Sequence, residues 1–182
     1  LTIGDIDKDG DLDVIIDGYW YENTGDIVDG AWQEHKFGDW HQDTVVKVGD
    51  INKDSRPDVV LTRSEGPFKL SWFEAPVDPK SDPWKEHLVD NSLDFAHGIG
   101  VADMDNDGDL DIVTAEMHQS ERGRVLVYFS QQGGSKWEHQ ILSTKGSHNL
   151  RLADIGGDHD IDVVGANWSG DYQAVEMWEN QL

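Results

Sequence analysis

The chain has 182 residues with 37 acidic and 14 basic side chains, a formal net charge of −23, and no cysteine. This charge disfavours nucleic acid or an anionic lipid surface as partner, since basic patches bind both. The lack of cysteine excludes a disulfide framework and a thiolate zinc site. No apolar run approaches the ~18 residues of a membrane-spanning helix, and no signal peptide is recognisable. Because so many carboxylates repel one another, we expect bound divalent cations to reduce this repulsion.

Four blocks of similar sequence follow one another along the chain. Each has an alternating strand, an acidic loop and a β-branched run in that order. The loops begin at Asp5, Asp50, Asp103 and Asp154. The strands before them cover residues 1–4, 45–49, 98–102 and 149–153, and the runs after them cover residues 13–16, 58–61, 111–113 and 162–164. Repeats of this kind indicate the architecture of the whole fold more strongly than any single motif does.

An aromatic strand follows in every block, and a fourth strand follows in three of them. The aromatic strands align as Trp20-Tyr21-Glu22, Trp72-Phe73-Glu74, Tyr128-Phe129-Ser130 and Met177-Trp178-Glu179. The fourth strands carry a recurrent histidine at His35, His87 and His139. No segment has a sustained helical period, so the sequence predicts almost no helix.

Four short strands in roughly 50 residues are the size of one propeller blade. We therefore predict an all-β fold, a β-propeller with about four four-stranded blades in a single repeat domain over residues 1–182. The approximate blades are 1–40, 41–92, 93–144 and 145–182, the last without its outer strand. A β-sandwich with coincidental similarity is the alternative. An open arc leaves sheet faces and edges uncovered. We therefore expect the rest of a longer chain, or another copy, to close the ring, although a self-contained four-bladed ring is possible.

Two of the acidic loops have the composition of a calcium site. Counting the first Asp as position 1, they carry carboxylates at positions 1, 3, 5 and 9 and a glycine at position 6, which permits a sharp turn. The carbonyl of position 7 supplies a further oxygen, and calcium takes six to eight. No Glu stands at position 12 and the flanks are strands, so these are not EF-hands. The predicted ligands are Asp5, Asp7, Asp9, Asp11 and Asp13 in the first loop, and Asp103, Asp105, Asp107, Asp109 and Asp111 in the third.

The second and fourth loops depart from this pattern. The second places serine at position 6 and a cation at position 7, so we expect weaker binding there. The fourth has no side chain at position 3 and a histidine at position 6, so it either completes its shell with water or stays empty. For both, solvated acidic turns without metal are the competing interpretation. Their candidate ligands are Asp50, Asn52, Asp54, Arg56 and Asp58, and Asp154, Asp158, Asp160 and Asp162.

The pattern Asp-x-Asp-x-Asp-Gly-x-Leu-Asp-Ile/Val at residues 5–14 and 103–112 resembles the FG-GAP or VCBS family of β-propeller repeats. Integrin α-subunit heads carry similar calcium loops. The resemblance covers nearly the whole chain and is weaker in the second and fourth blocks. It implies a ring of seven or eight blades, calcium between the first and second strands of a blade, and a secreted, periplasmic or cell-surface protein. It also implies adhesion, carbohydrate recognition or a scaffold for enzymes, without choosing among them.

The rim opposite the acidic loops is the predicted ligand surface. His97 and His148 stand at equivalent places before their loops, and polar and aromatic residues follow the second strands. Aromatic rings cover apolar sugar faces while polar groups fix hydroxyls. The ligand-binding candidates are Tyr19, Trp20, Glu116, Asn167 and Trp168, and the candidates for catalysis are His97, His148, His118 and Arg63. A structural hydrogen bond is the competing role for His97 and His148.

Three functions remain open from the sequence. The first is a calcium-binding extracellular module for carbohydrate binding or adhesion, in which calcium is structural and the partner is a glycan. The alternative is a polysaccharide lyase or related sugar-dehydrating enzyme, which uses a base and a cation beside a uronate. The third is a purely structural segment of a larger assembly. Whether the chain is an enzyme is left open.

Overall fold

The structure is a computed structural model that describes residues 1–40 and 42–181. Its fifteen strands form four antiparallel sheets, and the described residues contain no helix. The first sheet orders its strands as β1(Thr2–Gly4), β2(Asp13–Ile16), β3(Tyr19–Glu22) and β4(Gln33–Lys36). The second orders them as β5(Thr44–Gly49), β6(Asp58–Arg63), β7(Pro67–Glu74) and β8(Lys85–Asp94). Each is a simple meander, because every strand pairs with its neighbour in sequence.

The other two sheets repeat this order. The third consists of β9(Ala96–Ala102), β10(Asp111–Glu116), β11(Val125–Gln131) and β12(Lys136–Ser143). The fourth has three strands, β13(Asn149–Ala153), β14(Asp162–Ala166) and β15(Val175–Trp178). The all-β prediction is confirmed. β8 continues past the predicted blade boundary at residue 92, and the boundaries at residues 41 and 182 lie outside the described residues.

The first strands of the four sheets lie side by side. β1 contacts β5, β5 contacts β9, and β9 contacts β13. Each acidic loop joins the first and second strands of its sheet, so all four loops lie at the same end of these strands. This order is the one expected for successive propeller blades.

The apolar core lies between adjacent sheets. One cluster joins the first and second sheets around Trp20 and Phe73. Another joins the second and third around Trp72 and Ile112, and a third joins the third and fourth around Val127. Each interior sheet is therefore apolar on both faces, because it packs against a sheet on either side.

The structure corrects the alignment of the third aromatic strand by one residue. Trp72 pairs with Val60, whose equivalent in the third sheet is Val113, and Val113 pairs with Val127. Tyr128, which the sequence aligned with Trp72, instead packs on the opposite face toward the second sheet. A slip of one residue turns a side chain to the other face of a strand, so the aromatic pattern alone misplaced it.

Candidate functional site

The four acidic loops share one backbone conformation. Positions 4 and 6 have positive φ in every loop, at Lys8 and Gly10, Lys53 and Ser55, Asn106 and Gly108, and Gly157 and His159. Side chains at such angles are uncommon. The turn is therefore kept even in the second and fourth loops, where serine and histidine replace the glycine of position 6.

The aspartate at position 9 is buried in every loop. Its carboxylate accepts hydrogen bonds from the start of the loop and from the end of the third strand. In the first loop, Asp13 accepts a hydrogen bond from the N–H of Ile6 at 2.8 Å and one from the N–H of Asn23, just after β3, at 2.9 Å. The equivalent donor pairs are Ile51 and Ala75 for Asp58, Met104 and Ser130 for Asp111, and Ile155 and Asn180 for Asp162. This carboxylate ties the loop to the end of the third strand.

Burial affects the ionisation of these aspartates unequally. It raises the pKa of Asp58 to about 7 and that of Asp111 to about 6, although backbone hydrogen bonds act in the other direction. The pKa of Asp13 is also raised by burial. The pKa of Asp162 is lowered, because the backbone hydrogen bonds from Asn180 and Ile155 outweigh the effect of burial.

In the first and third loops, three carboxylates converge. Oxygens of Asp5, Asp7 and Asp13 lie within 4.8 Å of one another, and so do those of Asp103, Asp105 and Asp111. At position 1 of each loop, one buried oxygen, Asp5 Oδ1 or Asp103 Oδ1, accepts no hydrogen bond. Burial, followed by the charges of Asp107 and Asp103, raises the pKa of Asp105. An all-oxygen donor set with unsatisfied buried acceptors fits a hard cation such as calcium.

Lysines from the second sheet and its loops reach these two loops. Lys80 Nζ, from the segment between β7 and β8, lies 2.7 Å from Asp7 Oδ2 and 2.7 Å from Glu22 Oε1. Glu22 also belongs to an acidic group with Asp7 and Asp9. Lys53, at position 4 of the second loop, forms an ion pair with Asp109 of the third. Sequence reasoning missed these residues, and the recurrence of Glu after the aromatic pair was the only signal for Glu22.

The second loop satisfies its carboxylates internally. The guanidinium of Arg56 pairs with Asp54, and its Nε donates to the Ala75 carbonyl at 2.7 Å. Asn52 Nδ2 also donates to Asp54, at 2.9 Å. Both oxygens of Asp50 accept backbone N–H groups, at 2.9 and 2.8 Å. A tethered cation, a side-chain amide and backbone N–H groups therefore satisfy the acidic oxygens of this loop.

The fourth loop turns its carboxylates toward protein donors. Asp154 accepts the N–H of Gly157 at 2.6 Å and the N–H of His159 at 3.1 Å. Asp160 accepts Asn106 Nδ2 of the third loop at 2.8 Å. Asp158 accepts the N–H of Asp160 at 3.4 Å. Gly156 contributes no side chain, so this loop offers fewer oxygens than the first and third.

Four of the sequence-predicted residues meet at the other end of the first strands. The rings of His97 and His148 stack with centroids 4.0 Å apart. Trp168 stands edge-on to His148 at 5.6 Å and to His118 at 5.9 Å. His97 and His148 also line a cleft of about 460 Å³ between β5, β9 and β13.

Within this group, two ring nitrogens are buried without a hydrogen-bond partner, His118 Nδ1 and His148 Nδ1. Burial, and then the proximity of His97, lowers the pKa of His148 and favours its neutral form. The indole of Trp168 is 65% exposed. We name His97, His118, His148 and Trp168 the histidine–tryptophan group.

The remaining candidates occupy different surroundings. Trp20 is fully buried and stacks on His35 at 4.3 Å, so it offers no exposed face. Glu116 is also fully buried, and its carboxylate binds Arg124 at 2.6 Å, together with Arg122 and Ser120.

Three further candidates lie outside the histidine–tryptophan group. Asn167 donates to the carbonyls of Lys145 and Gly146. Tyr19 and Arg63 line two separate shallow clefts beside Trp40. A ligand role for these residues stays a prediction.

Among the described residues, no helix is long and apolar enough to cross a membrane. No curated protein matches the chain. A profile of the FG-GAP-like repeat matches residues 50–114 and again residues 103–165, segments that include the second, third and fourth acidic loops. The matched span covers most of the sequence and follows the repeat seen in the sheets. The chain therefore belongs to the FG-GAP-like repeat family.

Proposed function

We propose that this chain is a calcium-binding β-propeller-type module in which ions at the first and third loops stabilise the blades. One observation carries the proposal: these loops bring three carboxylates together and bury an aspartate oxygen that accepts no hydrogen bond. A buried acceptor without a donor is costly, and a bound cation removes the cost. The donors are carboxylates and a carbonyl, which calcium prefers.

Calcium in this position acts on the fold rather than on a substrate. Each loop joins the first two strands of its sheet, and its position 9 aspartate also holds the end of the third. An ion that binds only the folded loop stabilises the native state. We therefore expect a secreted, periplasmic or cell-surface location and, as for extracellular calcium modules, a dissociation constant of about 10⁻⁴–10⁻³ M.

Isothermal titration of the metal-free protein with calcium tests the proposal. We expect two ions per chain, with one lost in Asp5→Asn, one lost in Asp103→Asn and none bound by the double variant. Asp50→Asn and Asp154→Asn are the matched controls at position 1 of the other loops, and both should keep two ions. The proposal fails if no calcium binds, or if the controls lower the count as much as the test variants do.

Carbohydrate binding is a second candidate, favoured by the histidine–tryptophan group. An exposed indole edge-on to two imidazoles suits a sugar ring, because the indole covers its apolar face and neighbouring polar groups bond to hydroxyls. The net charge of −23 and the lowered pKa of His148 favour a neutral sugar over a uronate. Adhesion through a glycan would use the same surface.

Titration of neutral and acidic polysaccharides against Trp168→Ala tests this second candidate. We expect a neutral glycan to bind the parent protein at least about tenfold more tightly than the variant, a loss of about 1.4 kcal/mol. Trp32→Ala is the control, since Trp32 is partly exposed away from this group. Equal binding by Trp168→Ala would exclude this surface, and a rise in ultraviolet absorbance with uronic polymers would favour the lyase instead.

A further inference from the structure

The fifth residue after the buried aspartate of position 9 lies at or just beyond the end of the second strand in each sheet. In the third sheet it is Glu116, whose carboxylate accepts the N–H of Asp94 at 3.1 Å. In the fourth it is Asn167, whose amide donates to the carbonyl of Lys145 at 3.0 Å. Both partners lie where the chain leaves the preceding sheet. In the second sheet the same place is occupied by Arg63, the last residue of β6.

Arg63 has no such partner. The segment between β4 and β5 leads into the second sheet, and its Asp43 carbonyl accepts instead the N–H and the hydroxyl of Ser64, both at 2.7 Å. The Nε of Arg63 is buried without an acceptor. The other arginines form ion pairs or hydrogen bonds, namely Arg56, Arg122, Arg124 and Arg151. Over residues 1–40 and 42–181, Arg63 is therefore the one arginine that forms neither, in a chain with 37 acidic side chains.

The side chain of Arg63 lines a cleft of about 540 Å³ together with Trp40, Gln42 and Asp43. The Nε1 of Trp40 is also buried without an acceptor. Two residues with unsatisfied donors therefore border one cleft, whereas the acidic loops at the other end of β6 have acceptors without donors. The carboxylate of Asp43 is exposed and forms no ion pair with another described residue, so it does not neutralise the guanidinium.

We propose that this cleft binds an oxyanion, a carboxylate or a phosphate group, on the guanidinium of Arg63. The planar guanidinium presents paired N–H donors that match two oxygens of such a group. Buried donors without acceptors are costly, and a bound oxyanion reduces that cost. The net charge of −23 repels anions at long range, so the attraction is local and salt screens the repulsion. The proposal rests neither on calcium nor on the histidine–tryptophan group.

Isothermal titration at ~0.15 M salt with galacturonate, and separately with inorganic phosphate, tests the site. Binding of galacturonate alone assigns the cleft to carboxylates, binding of phosphate alone assigns it to phosphate groups, and binding of both supports the shared chemistry. Arg63→Gln should weaken the binding at least about tenfold, because the charge and the paired donors are lost. Arg63→Lys should weaken it less, because the charge remains while the planar donor pair is lost.

Arg151→Gln is the matched control, since it removes the same charge outside this cleft, and Trp168→Ala separates the cleft from the histidine–tryptophan group. Both should bind the probes as the parent protein does. Circular dichroism checks that Arg63→Gln folds, as expected for a guanidinium without a partner to lose. The proposal is overturned if neither probe binds at about 10 mM, where even weak contacts form. It is also overturned if Arg151→Gln loses as much binding as Arg63→Gln, or if Trp168→Ala loses binding that Arg63→Gln keeps.

Discussion

The first and third acidic loops differ from the second and fourth in what satisfies their carboxylates, while the backbone is the same. In the first and third, position 1 has an oxygen without a donor, and in the second and fourth its oxygens accept backbone N–H groups. The second loop adds the guanidinium of Arg56. The shape of the turn and the presence of acidic oxygens without donors are therefore separate properties of one motif.

The largest expected effect tests what the loops share. Asp111→Ala and Asp58→Ala each leave two buried N–H groups unpaired, so without calcium each should cost about 3–5 kcal/mol of unfolding free energy. Urea unfolding in chelator measures it. Asp11→Ala, at an exposed position, is the control and should cost less than about 1 kcal/mol. A small cost at Asp58 alone would show that the second loop does not share the position 9 contact.

Calcium should stabilise the protein through the first and third loops and not through the second and fourth. At a hundredfold excess over the dissociation constant, each occupied site adds about 2.7 kcal/mol. For a chain of this size, each kcal/mol raises the melting temperature by roughly 2–4 °C. Thermal melts in calcium and in chelator measure the difference, which Asp5→Asn and Asp103→Asn should each reduce by about half. No shift on calcium addition would contradict the assignment.

A third site should appear when the second loop receives the composition of the third. The double variant Ser55→Gly with Arg56→Asp removes the tethered guanidinium and restores position 7, so titration should count one more ion. The added stabilisation should be about 2 kcal/mol in excess calcium. Arg56→Gln alone is the control for loss of the cation. An unchanged ion count in the double variant would mean that Asn52 also prevents binding.

Lys80 provides a smaller test confined to the first loop. Its ammonium lies beside Asp7 and Glu22 and opposes a divalent ion there, so Lys80→Gln should tighten binding at this loop about tenfold, or about 1.4 kcal/mol. Calcium titration of Lys80→Gln in the Asp103→Asn background isolates the first loop. The same substitution in the Asp5→Asn background should leave the third loop unchanged. Weaker binding in the first background would show that Lys80 supports the site.

The smallest expected effect concerns backbone strain. Ser55 has a φ of 68°, which favours glycine, so Ser55→Gly should gain up to about 1 kcal/mol of unfolding free energy. Gly10→Ala at the equivalent position should lose about 1 kcal/mol, because no atom crowds the new methyl and only the backbone resists. Urea unfolding in chelator compares the two. A loss of stability in Ser55→Gly, or a gain in Gly10→Ala, would contradict the shared turn.

Much of the fold could be predicted from the sequence, because the same order of strands, loop and aromatic residues recurs in four blocks. The acidic loops, the β-branched second strands and the turns between them follow from local chemistry. The register of the third aromatic strand could not be predicted in this way. It is set by the hydrogen bond from Ser130 to Asp111, whereas the sequence suggested an aromatic match at Tyr128.

The candidate sites likewise have features that depend on nearby residues in the sequence and features that depend on other sheets. The acidic residues of one loop are close in sequence, so the convergence of carboxylates within residues 5–13 and 103–111 could be predicted directly. Lys80 and Lys53 approach from a neighbouring sheet, and no local pattern indicates which ammonium reaches which carboxylate. Burial also depends on neighbouring sheets. Trp20 in β3 is enclosed by the second sheet, while Trp168, which follows β14, is open to solvent.

The positive φ angles at Ser55 and His159 have a consequence for engineering. The turn keeps its shape although serine or histidine replaces the glycine best suited to position 6. Other side chains of the loop can therefore be exchanged without loss of the turn. New oxygen or nitrogen donors grafted at positions 3, 5 and 7 of the second or fourth loop would inherit a ready-made geometry. The four loops, which lie at the same end of the first strands, would then hold different metals on one protein.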